Sequence, residues 1–189
     1  MDTKTHILDV AQELVQTIGM NAMSYQQISE AVGIRKASIH HHFPTKAELV
    51  DALIERYSEC FFGLVDEILA SRHTGRKKLM EYIALFEATL REGAQDKACP
   101  MGMLGAEART LGAAALDRVK LFYAQNEKRL ALILDEGRKE GSLNFEGSPT
   151  AMAGLVFSLL EGAMLVARGR GSADYFRAVT DQLLRMLKA

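Results

Sequence analysis

Apolar residues recur along this chain at helical spacing almost from end to end. Ile7, Ala11, Leu14 and Ile18 fall at i, i+4, i+7 and i+11, and Gly19 follows as a stop. Ser24 with Gln27 three residues on reads as a capping box, opening a short helix that ends at Val32 and Gly33. A second short helix is predicted from about Lys36 to His42, closed by Pro44. Thr45 and Glu48 form another capping box at the head of a long helix carrying Leu49, Leu53, Tyr57, Phe61, Leu64 and Ile68. Beyond a break at His73–Gly75, Leu79, Ile83, Phe86 and Leu90 mark a fifth helix. Pro100 suits the first turn of a sixth, expected from Met101 to about Thr110. Leu116, Val119, Tyr123, Leu130 and Leu134 carry a seventh, ending near Gly141. Ala151 to Val166 and Phe176 to Leu187 supply the last two. No strand-like alternation interrupts them, so the expected class is all-α with about nine helices.

The composition agrees. Of 189 residues, 48% are hydrophobic and 25% charged, with three prolines and no tryptophan, the balance of a helical globular chain. Net charge is −1, so any surface for nucleic acid must be local. The start, MDTKTHIL, does not read as a signal peptide, and no stretch is expected to reach the roughly 20 apolar residues that span a bilayer. Two cysteines, Cys60 and Cys99, are too few for a disulfide framework, so a reduced cytoplasmic setting is expected.

The sharpest local signal lies between Ser24 and Lys46. Two helices of about eight residues joined by a glycine turn have the proportions of a helix-turn-helix. Ile28 and Val32 can pack inward, Ile34 fills the corner, and Ile39 and Phe43 anchor the second helix. From Ala31 to Ala47 there is no Asp or Glu, while Arg35, Lys36 and Lys46 are present. Such a face attracts backbone phosphates. His40, His41 and His42 do not converge on a metal, because adjacent helical residues diverge by about 100°.

The stretch "GIRKASIHHHFPTKAEL" is similar to the recognition-helix signature of TetR-type repressors, which reads close to G-V-S-K-G-T-L-Y-H-H-F-P-S-K-E-A-L, and "MSYQQISEAVG" resembles that family's first motif helix. The likeness spans about residues 4–50. It implies a dimeric, ligand-responsive transcriptional repressor, with residues 1–46 as the three-helix DNA-binding domain and 47–189 as a helical ligand-binding and dimerisation domain. Carried over by position, Lys36 and His41 fall near DNA and Lys46 at a phosphate contact. Ser29 and Ala37 replace a usual alanine and glycine. His40 stands where a tyrosine commonly touches phosphate, and Arg35 replaces a common serine. The DNA-binding set is therefore Ser24, Arg35, Lys36, Ser38, His40, His41, Thr45 and Lys46.

For the C-terminal part, the resemblance implies a cavity among helices bearing Phe61, Phe62, Met80, Phe86, Met101, Met103, Leu104, Phe122, Tyr123 and Phe157. Ordinary core packing explains the same residues, and nine methionines would suit an adaptable apolar lining. The expected dimer face comprises Leu155, Leu159, Gly162, Ala163, Val166 and Leu183. Cys99, just before Pro100 and near Lys97, is a candidate sensor of oxidants or electrophiles, with small-residue packing as the alternative; Cys60 reads as packing. No nucleophile elbow, P-loop, dinucleotide fingerprint or H-E-x-x-H motif is present, and Asp135–Glu136 reads as a solvated face, so catalysis is not expected. No cofactor or metal is expected. The expected partners are double-stranded operator DNA, a small-molecule inducer and a second copy of the chain. A helical protein-binding adaptor is the rival class, but it leaves the acid-free basic segment unexplained.

Overall fold

The computed structural model describes residues 2–91 and 96–188. Among them are nine helices: α1 (Thr3–Ile18), α2 (Tyr25–Val32), α3 (Lys36–His42), α4 (Lys46–Ala70), α5 (Gly75–Arg91), α6 (Pro100–Ala106), α7 (Ala113–Lys139), α8 (Pro149–Arg170) and α9 (Ala173–Met186). The all-α expectation holds, and the described residues contain no strand beyond one isolated bridge between Leu143 and Lys188.

The chain divides into two compact units. The first holds residues 1–59 and 100–122, so it gathers α1 to α3, the first part of α4, α6 and the start of α7. Its core includes Ile7, Ala11 and Val15 of α1, Ile28, Ile39, Phe43, Leu49 and Leu53. The buried stripe of α1 thus runs i, i+4, i+8 through Val15, and Ile18, expected inside, is exposed. Arg56 ties α4 to α1 by an ion pair to Asp9 (2.7 Å) and a hydrogen bond to Gln12 (3.2 Å). Helix α6 stops at Ala106, short of the expected Thr110. The Glu107 carboxylate instead accepts the backbone N–H groups of Met20 (2.7 Å) and Asn21 (3.0 Å), the turn leaving α1.

The second unit holds residues 60–99 and 123–189. Helix α8 packs on α9, and α5 packs on both. At the start of α5, Gly75 meets Gly137 of α7 backbone to backbone, an approach that leaves no room for a side chain. One turn on, the ammonium of Lys78 is buried, 2.8 Å from both Glu136 oxygens and 3.0 Å from the Leu69 carbonyl. Glu136 is therefore no freely solvated acid, as its charged neighbours suggested; it neutralises a buried cation. Cys60, expected to pack, is exposed. Helix α8 also departs from expectation: by length and composition, with a mean hydropathy of 1.8, it is apolar enough to cross a membrane. Ala153, Val156, Phe157, Leu160, Ala163, Met164 and Ala167 form its buried side.

Candidate nucleic-acid interface

Local signals fix the two motif helices. Ser24 Oγ accepts the Gln27 N–H and the Gln27 side chain accepts the Ser24 N–H (2.8 Å), so the capping box is complete. Gly33 closes α2 at φ 75°, ψ 31°, a left-handed position where other residues pay in strain. The chain then turns from α2 into α3 over Gly33–Arg35, and the Ser29 hydroxyl holds the corner by donating to the Ile34 carbonyl (2.5 Å). Ile39 is fully buried and Phe43 nearly so, while Val32 and Ile34 are half-buried. Tyr25, which the sequence did not single out, donates its hydroxyl to the Phe43 carbonyl (2.8 Å) and so ties the start of α2 to the end of α3. Burial, with a smaller effect of Glu48, raises the pKa of that hydroxyl.

With Ile39 turned inward, the outer side of α3 is free. Arg35, Lys36, Ser38, His40 and His41 are exposed, and so are Ser24 and Thr45; His42 is half-buried. The exposed set lies on one short helix and its flanks, with no acidic side chain between Ala31 and Ala47. Individual members differ in what they offer. Ser24 and Thr45 are helix caps, Thr45 Oγ1 accepting the Glu48 N–H (3.2 Å). His40 Nδ1 lies 3.1 Å from the Pro44 carbonyl oxygen, and its ring sits 4.8 Å from that of Tyr25. A carbonyl can only accept, so Nδ1 carries the hydrogen and the neutral ring has no second donor. Only the imidazolium form of His40 could donate to a phosphate, which narrows the role expected for it. Lys46 is half-buried, with its ammonium 2.7 Å from the Met23 carbonyl and 3.5 Å from that of Asn21. Burial lowers its pKa, and Glu107 opposes part of that shift. Arg35, Lys36, Ser38 and His41 remain as the exposed side chains of this face whose donors can meet a ligand.

The family model described as "Bacterial regulatory proteins, tetR family" matches residues 7–53, and "Tetracyclin repressor-like, C-terminal domain" matches residues 75–183. The chain belongs to the tetR family. Among solved structures, a TetR-family transcriptional regulator from Agrobacterium tumefaciens is 32% identical, with 99% of this chain and 98% of that one covered at a TM-score of 0.93. A TetR regulator from Legionella pneumophila is 26% identical over 100% and 98%, with a TM-score of 0.87. The transcriptional repressor NemR of Escherichia coli K12 is 25% identical over 171 residues, 88% of this chain and 84% of that protein. KstR2 of Rhodococcus jostii, also a transcriptional repressor, is 34% identical over 76 residues, 40% of this chain and 37% of that protein. As a tetR-family member the protein is a DNA-binding transcriptional regulator and not an enzyme.

The residues expected around a tetR-family ligand cavity are divided between the two units. Phe61, Phe62, Phe86, Tyr123 and Phe157 share the second unit, where their rings contact one another in edge or tilted pairs 5.7 to 6.4 Å apart. Tyr82 joins them and exchanges hydrogen bonds with Asn126 (2.8 and 3.0 Å). Met101, Leu104 and Phe122 are buried in the first unit and Met103 is half-buried there, while Met80 is exposed. Sequence reading missed Glu161 of α8. Its carboxyl hydrogen-bonds with the Cys99 thiol, and burial pushes its pKa up to about 7. Cys99 itself is buried, and its backbone N–H donates to Met164 Sδ (3.0 Å). Of the expected dimer face, Leu155, Gly162 and Val166 are exposed, Leu159 is half-buried, and Ala163 and Leu183 are buried. Among the described residues, no group of three or more His, Cys, Asp or Glu gathers as a metal site.

Proposed function

We propose that this protein is a cytoplasmic, ligand-responsive repressor that grips a near-palindromic operator as a homodimer. Residues 1–46 read DNA, and residues 47–189 bind the inducer and the second copy. Each subunit lays α3 in a major groove, the two helices about one helical turn (~34 Å) apart. Lys36 and Arg35 meet phosphate or guanine, His41 and Ser38 reach base edges or sugar-phosphate, and Lys46 acts through the turn it holds. The observation that carries this reading is the outward, acid-free face of α3, fixed by Ile39 and Phe43 behind it. The exposed apolar side chains of α8, with Leu155 at 56% and Val166 at 43%, support dimerisation, since a monomer would leave them wet. Inducer binding among the aromatic residues of the second unit would favour a different spacing of the two α3 helices and lower operator affinity.

The test is an electrophoretic shift with DNA from upstream of the protein's own gene, repeated across a salt series. Sequence-preferring, salt-sensitive binding is expected, and Lys36→Ala should weaken it on every sequence while reducing the log–log salt slope by about 1. Binding that ignores sequence, or no binding, refutes the repressor reading. A thiol-sensing mechanism through Cys99 has less support, because its surroundings are buried and carboxylate-bearing rather than exposed and electropositive.

A further inference from the structure

Helix α8 carries one charged residue between Pro149 and Ala167, and it is Glu161. That carboxyl is turned into the second unit: Oε1 is buried with no hydrogen-bond partner, and the Cys99 thiol hydrogen-bonds the carboxyl group. A thiol is a weak donor, so the negative charge is poorly stabilised. The titratable groups around it are Tyr82 on α5, Tyr123 on α7 and Cys99 ahead of α6; Glu127 of α7 adds further negative charge near Tyr82. Burial and the Glu161 charge both raise the pKa values of the two tyrosines. Among the described residues, Glu161 forms no ion pair. The buried Lys78 ammonium of the same unit, by contrast, is matched by Glu136.

Aromatic rings share the second unit with this acid, and Tyr82 and Tyr123 both feel its charge. Phe157 lies one helical turn before Glu161 on α8 and contacts Tyr123 (5.7 Å) and Phe86 (6.4 Å), and Phe86 contacts Tyr82 (5.4 Å). Tyr123 is partly exposed, so the group is not sealed from solvent. A buried carboxylate lacking a counter-charge, set among aromatic faces, is the chemistry that recognises an organic cation: the acid supplies the opposite charge, and the rings supply quadrupole attraction and apolar area. We infer that the inducer of this protein carries a positively charged nitrogen, held by Glu161 against Tyr123 and Phe157. The inference rests on the ligand-responsive reading above and gives that ligand its class. Binding such a cation draws Glu161 into its ionised form, so affinity rises with pH until the carboxyl is ionised without help.

Calorimetry with benzyltrimethylammonium and its neutral isostere neopentylbenzene, on the full chain, tests this. The ammonium probe does not titrate, so any pH effect belongs to the protein. The cation should bind roughly tenfold or more tightly than the isostere at pH about 8, with the preference shrinking at pH about 5.5 and vanishing in Glu161→Gln. Equal binding of the two probes, no binding of the cation at the higher pH, or a preference that survives Glu161→Gln overturns the inference. Because the wild-type comparison needs no variant, the outcome stands even if Glu161→Gln folds poorly. Operator release by the neutral compound alone would overturn the charge assignment and leave the inducer reading intact. Selective cation binding without operator release would uphold the site and sink the inducer reading.

Discussion

Replacing Gly75 by alanine should be among the most damaging single-methyl changes in the molecule. A Cβ at that position would lie 2.3 Å from both Cα and N of Gly137 and 2.9 Å from the Ile133 carbonyl oxygen. Ordinary contact begins near 3.4 Å, so α5 and α7 would have to separate by about 1 Å at this crossing. Nothing flexible stands in the way to yield, because the obstructing atoms are backbone. Overpacking of this kind costs about 1–3 kcal/mol even where side chains can shift. The separation would also loosen the Lys78–Glu136 pair one turn along, so about 3 kcal/mol is expected, against a helix-propensity gain of at most about 1 kcal/mol. For a chain of this size that corresponds to a fall in Tm of roughly 6–12 °C. Two glycines serve as internal standards. At Gly137 the new Cβ meets the tip of Leu143 at 2.6 Å, a side chain that can shift, and the nearest backbone atom, Gly75 Cα, only at 3.3 Å, so Gly137→Ala should cost less. At Gly162 nothing lies within 4 Å, so the same change should leave the isolated chain no less stable. Thermal melts of the three variants followed by circular dichroism decide the matter. A Gly75→Ala protein within about 0.5 kcal/mol of wild type would refute the reasoning.

The buried ion pair makes an asymmetric prediction: Glu136→Ala, which strands the Lys78 ammonium, should cost about 3–5 kcal/mol, whereas Lys78→Met should cost distinctly less because the acid it abandons is 43% exposed. Urea unfolding of both variants checks the order, and a larger loss in Lys78→Met contradicts it. Glu161 makes stability depend on pH. Its carboxyl takes up protons more readily folded than unfolded, so stability is greatest below about pH 4.5, falls as pH rises, and levels off above the folded value of about 7. The full drop is roughly 3 kcal/mol at most, and Glu161→Gln should remove that part of the slope in melts taken across the range.

How much of this was legible beforehand depended on how far apart the interacting residues lie. The helix-turn-helix was open to reading because its determinants are local: a capping box over Ser24–Gln27, a left-handed Gly33, and apolar spacing that buries Ile28, Ile39 and Phe43. Lys46 has a partner 23 residues away at Met23, and nothing in the order of residues says that its charge turns inward. Glu107, 87 residues from Met20, ends α6 early for the same reason. Tyr25 shows no pattern that would reveal its hold on Phe43. Glu161 is different, since a single acid in an apolar run is a visible anomaly, but helical spacing does not say that it faces the Cys99 thiol 62 residues earlier in the chain. Cys60 and Ile18 sit at the edges of helical faces, where spacing alone does not separate inside from outside.

Helix α3 is fastened to the protein through one fully buried side chain, Ile39, while Arg35, Lys36, Ala37, Ser38 and His41 all face solvent. Mutational drift at those five positions is therefore almost free of folding consequences, and selection can act on them through DNA alone. A duplicated copy of this gene could acquire a new operator in a few substitutions without first being rescued by stabilising changes elsewhere. The same separation makes the segment a natural acceptor for grafted specificity: residues 35–38 and 41 can be exchanged as a cassette, provided Ile39, the Tyr25 tether and the His40–Pro44 bond are kept.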